Sequence, residues 1–348
     1  MNQVGAILVG AIRHHRCAAV VILVTLLYAV MLAWWFPLEL VLALAPTAIA
    51  KVFVSVIAIY AVLSLLYYFF AMLFWIRPKS PIRFVLQRLG VFCGDRQRFL
   101  HFLYVVALFS VFATFFAINK AAIAKVSGFQ WDGFFVEVDR FFFMGNLPHD
   151  ALAWVFANPV SALALEVAYQ AWFYLYYMSI VLVGYYLAFT AVARRYLLAS
   201  VLTWFVGGNI LALLFSSAGP IFPEIHQLGH YDAHLAVVEN AVPGIGSFAL
   251  TVKQRLYEML SARGFSSISA FPSMHVASTL LMVFLSRHLG PVPFRCMVGF
   301  FVVIFLGSFA LLWHYFIDAV AGAALAAGFW WLSGTLCRQD ARLGRWSS

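Results

Sequence analysis

Charge is what this sequence has least of. Lys, Arg, Asp and Glu make up 10% of its 348 residues, against about 25% in a soluble domain. A chain that turns most of its surface to water is therefore excluded. Cysteine is scarce too: Cys17, Cys93, Cys296 and Cys337 stand singly, without metal-ligand spacing or evident pairing, which argues against both a structural zinc site and a disulfide framework. Internal repeats and low-complexity linkers are missing as well. The net charge is +9, but in so apolar a chain basic residues set membrane orientation and meet anionic headgroups. Nucleic acid is not implied.

Apolar residues are abundant, at 65% of the chain, and they fall in runs of about the ~20 residues that a bilayer demands. The runs lie near 18–36, 52–76, 99–119, 161–189, 197–215, 272–286, 296–313 and 319–336, which predicts an all-α polytopic membrane protein of about eight spans. The first run follows Arg13-His14-His15-Arg16 and could pass for a signal peptide. It exceeds the ~7–15 residues of a signal core, and the small-residue site Ala43-Leu44-Ala45 is followed by Pro46, which disfavours cleavage.

With the N-terminus inside, fifteen of the 22 basic residues fall on inner segments and seven on outer ones, a split that places both termini in the cytoplasm. Two long outer segments result, 120–160 and 216–270. In the first, Phe129 to Arg140 alternates aromatic and acidic residues at helical spacing and reads as an amphipathic helix lying in the interface. The expected organisation is two N-terminal spans and a basic loop (1–98), a six-helix catalytic core (99–337) and a cytoplasmic tail (338–348).

The chemistry concentrates in Phe271-Pro272-Ser273-Met274-His275 and Trp313-His314-Tyr315-Phe316-Ile317-Asp318. His314 and Asp318 are four apart, so a helix would stack them on one face, giving an imidazole steadied by a carboxylate. His275 supplies a second proton carrier. Pro272-Ser273 is a helix-start signature that aims backbone N–H groups and the Ser273 hydroxyl at one spot, where an anion would be held. Both histidines fall on the outer side in the topology above.

This P-S-x-H followed by H-x-x-x-D resembles the type 2 phosphatidic acid phosphatase superfamily. The resemblance implies His314 as the nucleophile of a phosphohistidine intermediate, Asp318 as its orienting carboxylate and His275 as the acid and base, with no cofactor and no metal. That superfamily's K-x(6)-R-P motif is missing here, and Gly307-Ser308 stands where S-R is usual. The branch without those arginines comprises the inositol phosphorylceramide synthases and, more distantly, the sphingomyelin synthases, whose second motif begins His-Tyr. His314-Tyr315 and Ser216-Ser217-Ala218-Gly219-Pro220 are similar to that branch. It implies transfer of a phosphoryl headgroup, phosphoinositol in the first case, from a phospholipid donor to a lipid-alcohol acceptor with release of diacylglycerol. The alternatives are a lipid phosphate or polyprenyl diphosphate phosphatase using the same histidines, and a non-enzymatic lipid transporter.

Substrate contacts are expected from Ser273, Gly219, Pro220 and Tyr315, from the intramembrane Glu166, and from a base among Lys253, Arg255, Arg263 and Arg140. His226, His230 and His234 recur every four residues with Asp232 among them. A zinc site is conceivable there, but Gly229 weakens the helix and no partner for the ligands is evident, so no metal is expected.

Overall fold

The computed structural model of the chain describes residues 3–32, 38–242, 247–264 and 266–346, the side chains of 38–44, 263 and 341–346 apart. Among the described residues every regular element is helical, as an apolar chain with no water to satisfy its backbone requires. In chain order they are α1 (Gln3–His14), α2 (Arg16–Leu32), α3 (Leu38–Ala71), α4 (Pro81–Gly94), α5 (Arg96–Val126), α6 (Asp132–Phe142), α7 (Pro159–Val181), α8 (Ala191–Leu202), α9 (Ala212–Leu214), α10 (Pro223–His226), α11 (Asp232–Asn240), α12 (Phe248–Arg263), α13 (Met274–Ser286), α14 (Pro291–Ala310) and α15 (Phe316–Trp346). Wider, π-helical turns extend α3 and α7, and one joins α8 to α9.

Six segments are long and apolar enough to cross a membrane, and α1 with α2, bent by 74° at His15, makes a seventh if the pair is one span. The expected eighth span, near 272–286, is α13. Its thirteen residues reach about 20 Å at ~1.5 Å per residue, short of the ~30 Å hydrocarbon core. It is short for a span because it is an inner helix walled by protein: ten of its residues are buried, and it packs mainly against α14 and α15. The basic stretch expected as a loop contains α4, an exposed helix with no buried residue.

Close backbone approach shapes the centre of the bundle. A Cβ on Gly322 of α15 would lie 2.4 Å from the Ser273 carbonyl oxygen, and one on Gly208 would lie 2.6 Å from the Phe116 ring. Asn209 donates to the Phe116 carbonyl at 3.2 Å and accepts from Asn119, which also reaches the Thr25 carbonyl, so one polar knot ties α2, α5 and the α8 extension. Ala18, Ile22 and Val56 of the N-terminal helices belong to the same core as α13.

A second, smaller core lies at the end of the bundle that carries the histidine motifs, where α6, α12 and the loops around Ile221, Ile268 and Leu312 pack together. Helix α6 is not simply laid in the interface as expected. Its Phe134, Phe141 and Phe142 are exposed, but Phe135 and Val136 are buried and two aspartates bind it to the loops below. Asp132 accepts from the Ala218 and Gly219 N–H groups at 2.9 Å and from the Tyr315 hydroxyl at 2.8 Å. Asp139 accepts from Phe316 N–H at 2.8 Å and Ile317 N–H at 3.1 Å, satisfying orphan donors at the start of α15.

Candidate active site

Three loops carry the site, and backbone hydrogen bonds stitch them together. Ala270 N–H donates to Ser217 O at 2.9 Å, Ile221 N–H to Leu312 O at 2.8 Å and Ser273 N–H to Asp318 O at 2.9 Å. Gly219, at φ +96°, allows the first loop to pass the third: an added Cβ would lie 2.7 Å from the Trp313 carbonyl oxygen. A side chain there would be strained on both counts.

His314 does not stand on a helix with Asp318. It lies in the turn between α14 and α15, because its own N–H folds back to Ser308 O at 3.0 Å before the new helix starts. Its Nδ1–H donates to the Ala270 carbonyl at 2.8 Å, while Asp318 Oδ2 is 3.6 Å away and accepts from Tyr315 N–H at 2.9 Å. The carbonyl therefore holds the tautomer, and the carboxylate contributes a nearby charge rather than a hydrogen bond. This leaves Nε2 with its lone pair free. Burial, and then the charge of Lys120, lower the His314 pKa to about 3 against the pull of the Ala270 hydrogen bond, so the ring is neutral near pH 7.

His275 sits in the first turn of α13, its ring centroid 6.0 Å from that of His314. Aromatic side chains of α7 hold it: Tyr169 stacks at 4.7 Å, Trp172 lies at 4.2 Å and Phe173 meets it edge-on at 5.9 Å. Trp172 is itself fixed by donating Nε1–H to Ser278 Oγ at 3.0 Å. Both histidines open into one cavity of about 1020 Å³. Its walls come from the end of α5, from α7, from α12 and from the loops at 267–275 and 313–314, with Leu163, Val167, Phe173 and Trp204 giving it an apolar, aromatic character.

The structure brings His275 and His314 together on this cavity and places Asp318 directly behind His314. Most of the other expected contacts serve the scaffold. Ser273 is fully buried and caps α13, its Oγ accepting from Val276 N–H at 3.4 Å. The Tyr315 hydroxyl is turned to Asp132. Gly219 has given its N–H to Asp132, and the Pro220 carbonyl is 3.4 Å from His226 Nε2. Glu166 reaches the cavity wall, but its oxygens accept from the Ser247 hydroxyl and from Phe248 N–H, so it anchors the start of α12. Lys253 pairs with Glu224 and, with Arg255, borders a separate surface groove instead of the cavity. Arg140 pairs with Glu137. The side chain of Arg263 lies outside the described residues.

The three spaced histidines separate. His226 approaches Pro220 O, His230 meets Arg140 and His234 bonds the Ala310 carbonyl at 3.1 Å. Among the described residues no group of His, Cys, Asp or Glu has metal-binding geometry.

The base that does reach the site is Lys120. Helix α5 runs to Val126 rather than stopping near 119, so Lys120 is on the helix instead of in the outer loop. Its Nζ has one long contact, 3.5 Å to Ser269 O, and it lines the cavity with both histidines. A lysine in an apolar helix is a functional signal in the sequence. The apolar run itself ends at residue 119, which leaves Lys120 just outside the expected span although α5 continues to Val126.

A family model described as the PAP2 superfamily matches residues 134–332, more than half of the chain and the whole of both histidine motifs. The comparison with curated proteins and that with solved structures return no match.

Proposed function

The chain belongs to the PAP2 superfamily and is a multi-pass membrane enzyme of the phosphatase or phosphotransferase type, and within that class we propose that it transfers a phosphoryl headgroup between lipids. His314 Nε2 attacks the phosphorus of a phospholipid donor. The bond from phosphorus to the glycerol oxygen breaks, His275 gives that oxygen a proton, and diacylglycerol leaves. His275, now neutral, takes the proton of a lipid hydroxyl, whose oxygen attacks the phosphohistidine and releases His314. Asp318 stabilises the cationic ring in between.

One observation carries the reading: two histidines face each other across a cavity, one with Nδ1 held by a carbonyl and Nε2 free. The apolar walls support a lipid acceptor over water, and the missing arginine motifs support a diester over a monoester. His314-Tyr315 supports phosphoinositol as the headgroup. The active site is assigned to the outer side of the membrane, with both termini cytoplasmic.

The test is lipid mass spectrometry of cells carrying the chain or its His314→Ala variant. A phospholipid species present with the first and missing with the second is expected. Identical lipids in both, with phosphate release from phosphatidic acid that added lipid alcohols leave unchanged, would replace transfer with hydrolysis.

A further inference from the structure

Four side chains that line the cavity have a buried polar atom with no hydrogen-bond partner: Tyr169 Oη, Trp204 Nε1, Ser269 Oγ and Trp313 Nε1. Unpartnered buried groups of this kind are costly, and a ligand is one reason to retain them. Their chemistry is one-sided. Indole N–H can only donate, and the two hydroxyls are free to donate. The orphaned acceptors elsewhere, Asn119 Oδ1 and Asp318 Oδ1, belong to side chains that do not line this cavity. Glu166, the carboxylate on the wall, has both oxygens engaged. Lys120 is the one Lys or Arg among the described residues that line the cavity.

A cavity whose lining side chains carry four unspent donors, with Lys120 its one permanently basic group and no free anion, suits an anion of low charge. We propose that Tyr169, Trp204, Ser269 and Trp313, together with Lys120, form the receptor for the donor's phosphate and select a phosphodiester monoanion over a phosphomonoester dianion. Tyr169 and Trp313 place this receptor against the reacting groups: Tyr169 stacks on His275, and Trp313 precedes His314 in the same turn. One lysine balances one negative charge. With His275 unprotonated, as its burial favours at pH 8, a second charge on the ligand would be desolvated with neutral N–H and O–H groups alone to face it, a poor exchange for its water shell. The receptor thus replaces the missing arginines at positions no arginine motif marks, and makes the missing charge a source of selectivity. The proposal rests on the phosphotransfer reading for the class of ligand, but its test needs no turnover.

The test is equilibrium binding in detergent at pH 8 with three probes of matched chain: dihexadecyl phosphate, hexadecyl phosphate and an uncharged dialkylglycerol. The protein should bind the diester more tightly than the monoester. Lys120→Met should weaken the diester by roughly tenfold to a hundredfold, the scale of a lost charge-assisted hydrogen bond, and leave the dialkylglycerol unchanged. Lys120→Arg should retain most of the diester affinity. Trp313→Phe, which keeps the ring and removes the donor, should cost about threefold to tenfold; with Ser269→Ala it decides the matter if Lys120→Met does not fold. Lys253→Met, altered in the separate groove, should bind as the parent does. Equal or tighter binding of the monoester, or diester affinity indifferent to Lys120 and Trp313, would overturn the receptor. Selective binding without any transfer would overturn the transferase reading and leave the receptor standing; transfer with unselective binding would do the reverse.

Discussion

Helix α5 carries a buried histidine group near its N-terminus and the candidate site near its C-terminus, the inner and outer ends in the proposed topology, roughly 28 Å apart at ~1.5 Å per residue, and the two differ in what their polar atoms face. At the inner end, His101 Nδ1–H donates to Gly184 O at 2.6 Å, and its Nε2 lies 3.1 Å from His15 Nε2. His14 reaches the Thr190 carbonyl at 3.1 Å. These rings tie the bend between α1 and α2 to the bundle, and none of them lines the large cavity. At the outer end, His275 and His314 border that cavity, and His314 keeps a free nitrogen. Neither burial nor a spare nitrogen, which buried His15 also has at Nδ1, separates structural from reactive histidines; unspent hydrogen-bonding capacity beside an open volume does.

The comparison predicts opposite consequences for removing a ring at either end. His314→Ala should abolish turnover and any acid-labile phosphoenzyme, since no neighbouring group can take its place as nucleophile. His275→Ala should stop transfer from ordinary phospholipids but still allow the enzyme to be phosphorylated by a donor whose leaving group needs no proton. Equal loss with both donors would contradict the division of roles.

Asp318→Asn sharpens the outer half of the comparison. The Ala270 carbonyl, not Asp318, holds the tautomer, so the loss should be about 10–10² in kcat. That is milder than the roughly 10⁴ seen where the carboxylate itself fixes the imidazole. A loss near 10⁴ would mean that Asp318 closes on Nδ1 during the reaction.

Much of this was legible in the sequence, for a definite reason. A span must be a long apolar run whatever it packs against, so each run is a helix in the structure, and apart from the short α13 and the bend between α1 and α2 the differences lie at their ends, as with α5 at Lys120. His275 and His314 were legible because their neighbours form an ordered pair of motifs. The receptor was not. Tryptophan at 204 and 313 and tyrosine at 169 read as lipid-facing or core residues, and nothing local shows that their N–H and O–H groups find no partner. For Ser273, Tyr315 and Glu166 the converse holds. The first two are polar residues of the motifs and the third is a carboxylate within a span, but the partners they meet are the start of α13, Asp132 and the start of α12, and those contacts span up to 183 residues of sequence.

At the inner end, His101→Ala should leave kcat nearly unchanged and cost about 2–4 kcal/mol of stability, from the lost Gly184 hydrogen bond and the cavity left among α1, α2 and α5. Thermal unfolding in detergent beside a transfer assay reads both quantities. A fall in kcat greater than in stability would break the comparison by giving the inner group a part in the reaction.

The smallest expected effect concerns the clamp that holds α6 over the outer site, and it has no counterpart at the inner end. Asp139 is buried against the first turn of α15. Burial raises its pKa from 3.8 to about 7, the Phe316 and Ile317 N–H groups pull it back, and the charge of Asp318 pushes it up. Because the folded value exceeds the unfolded one, the folded state holds this proton more tightly. The stabilisation is full below about pH 4, declines as pH rises and is spent once pH passes about 7. Between pH 5 and 8 the protein should therefore lose on the order of 1–3 kcal/mol of stability from this group. Asp139→Asn cannot ionise, so it should be less stable at low pH, where one of its two acceptors is replaced by a donor facing an N–H, yet should lose little more as pH rises. The slope of unfolding midpoint against pH is thus the readout, not its value. Equal slopes in the parent and Asp139→Asn would show that the carboxyl is ionised across the range, making the two α15 N–H groups stronger than burial and the clamp a fixed charge.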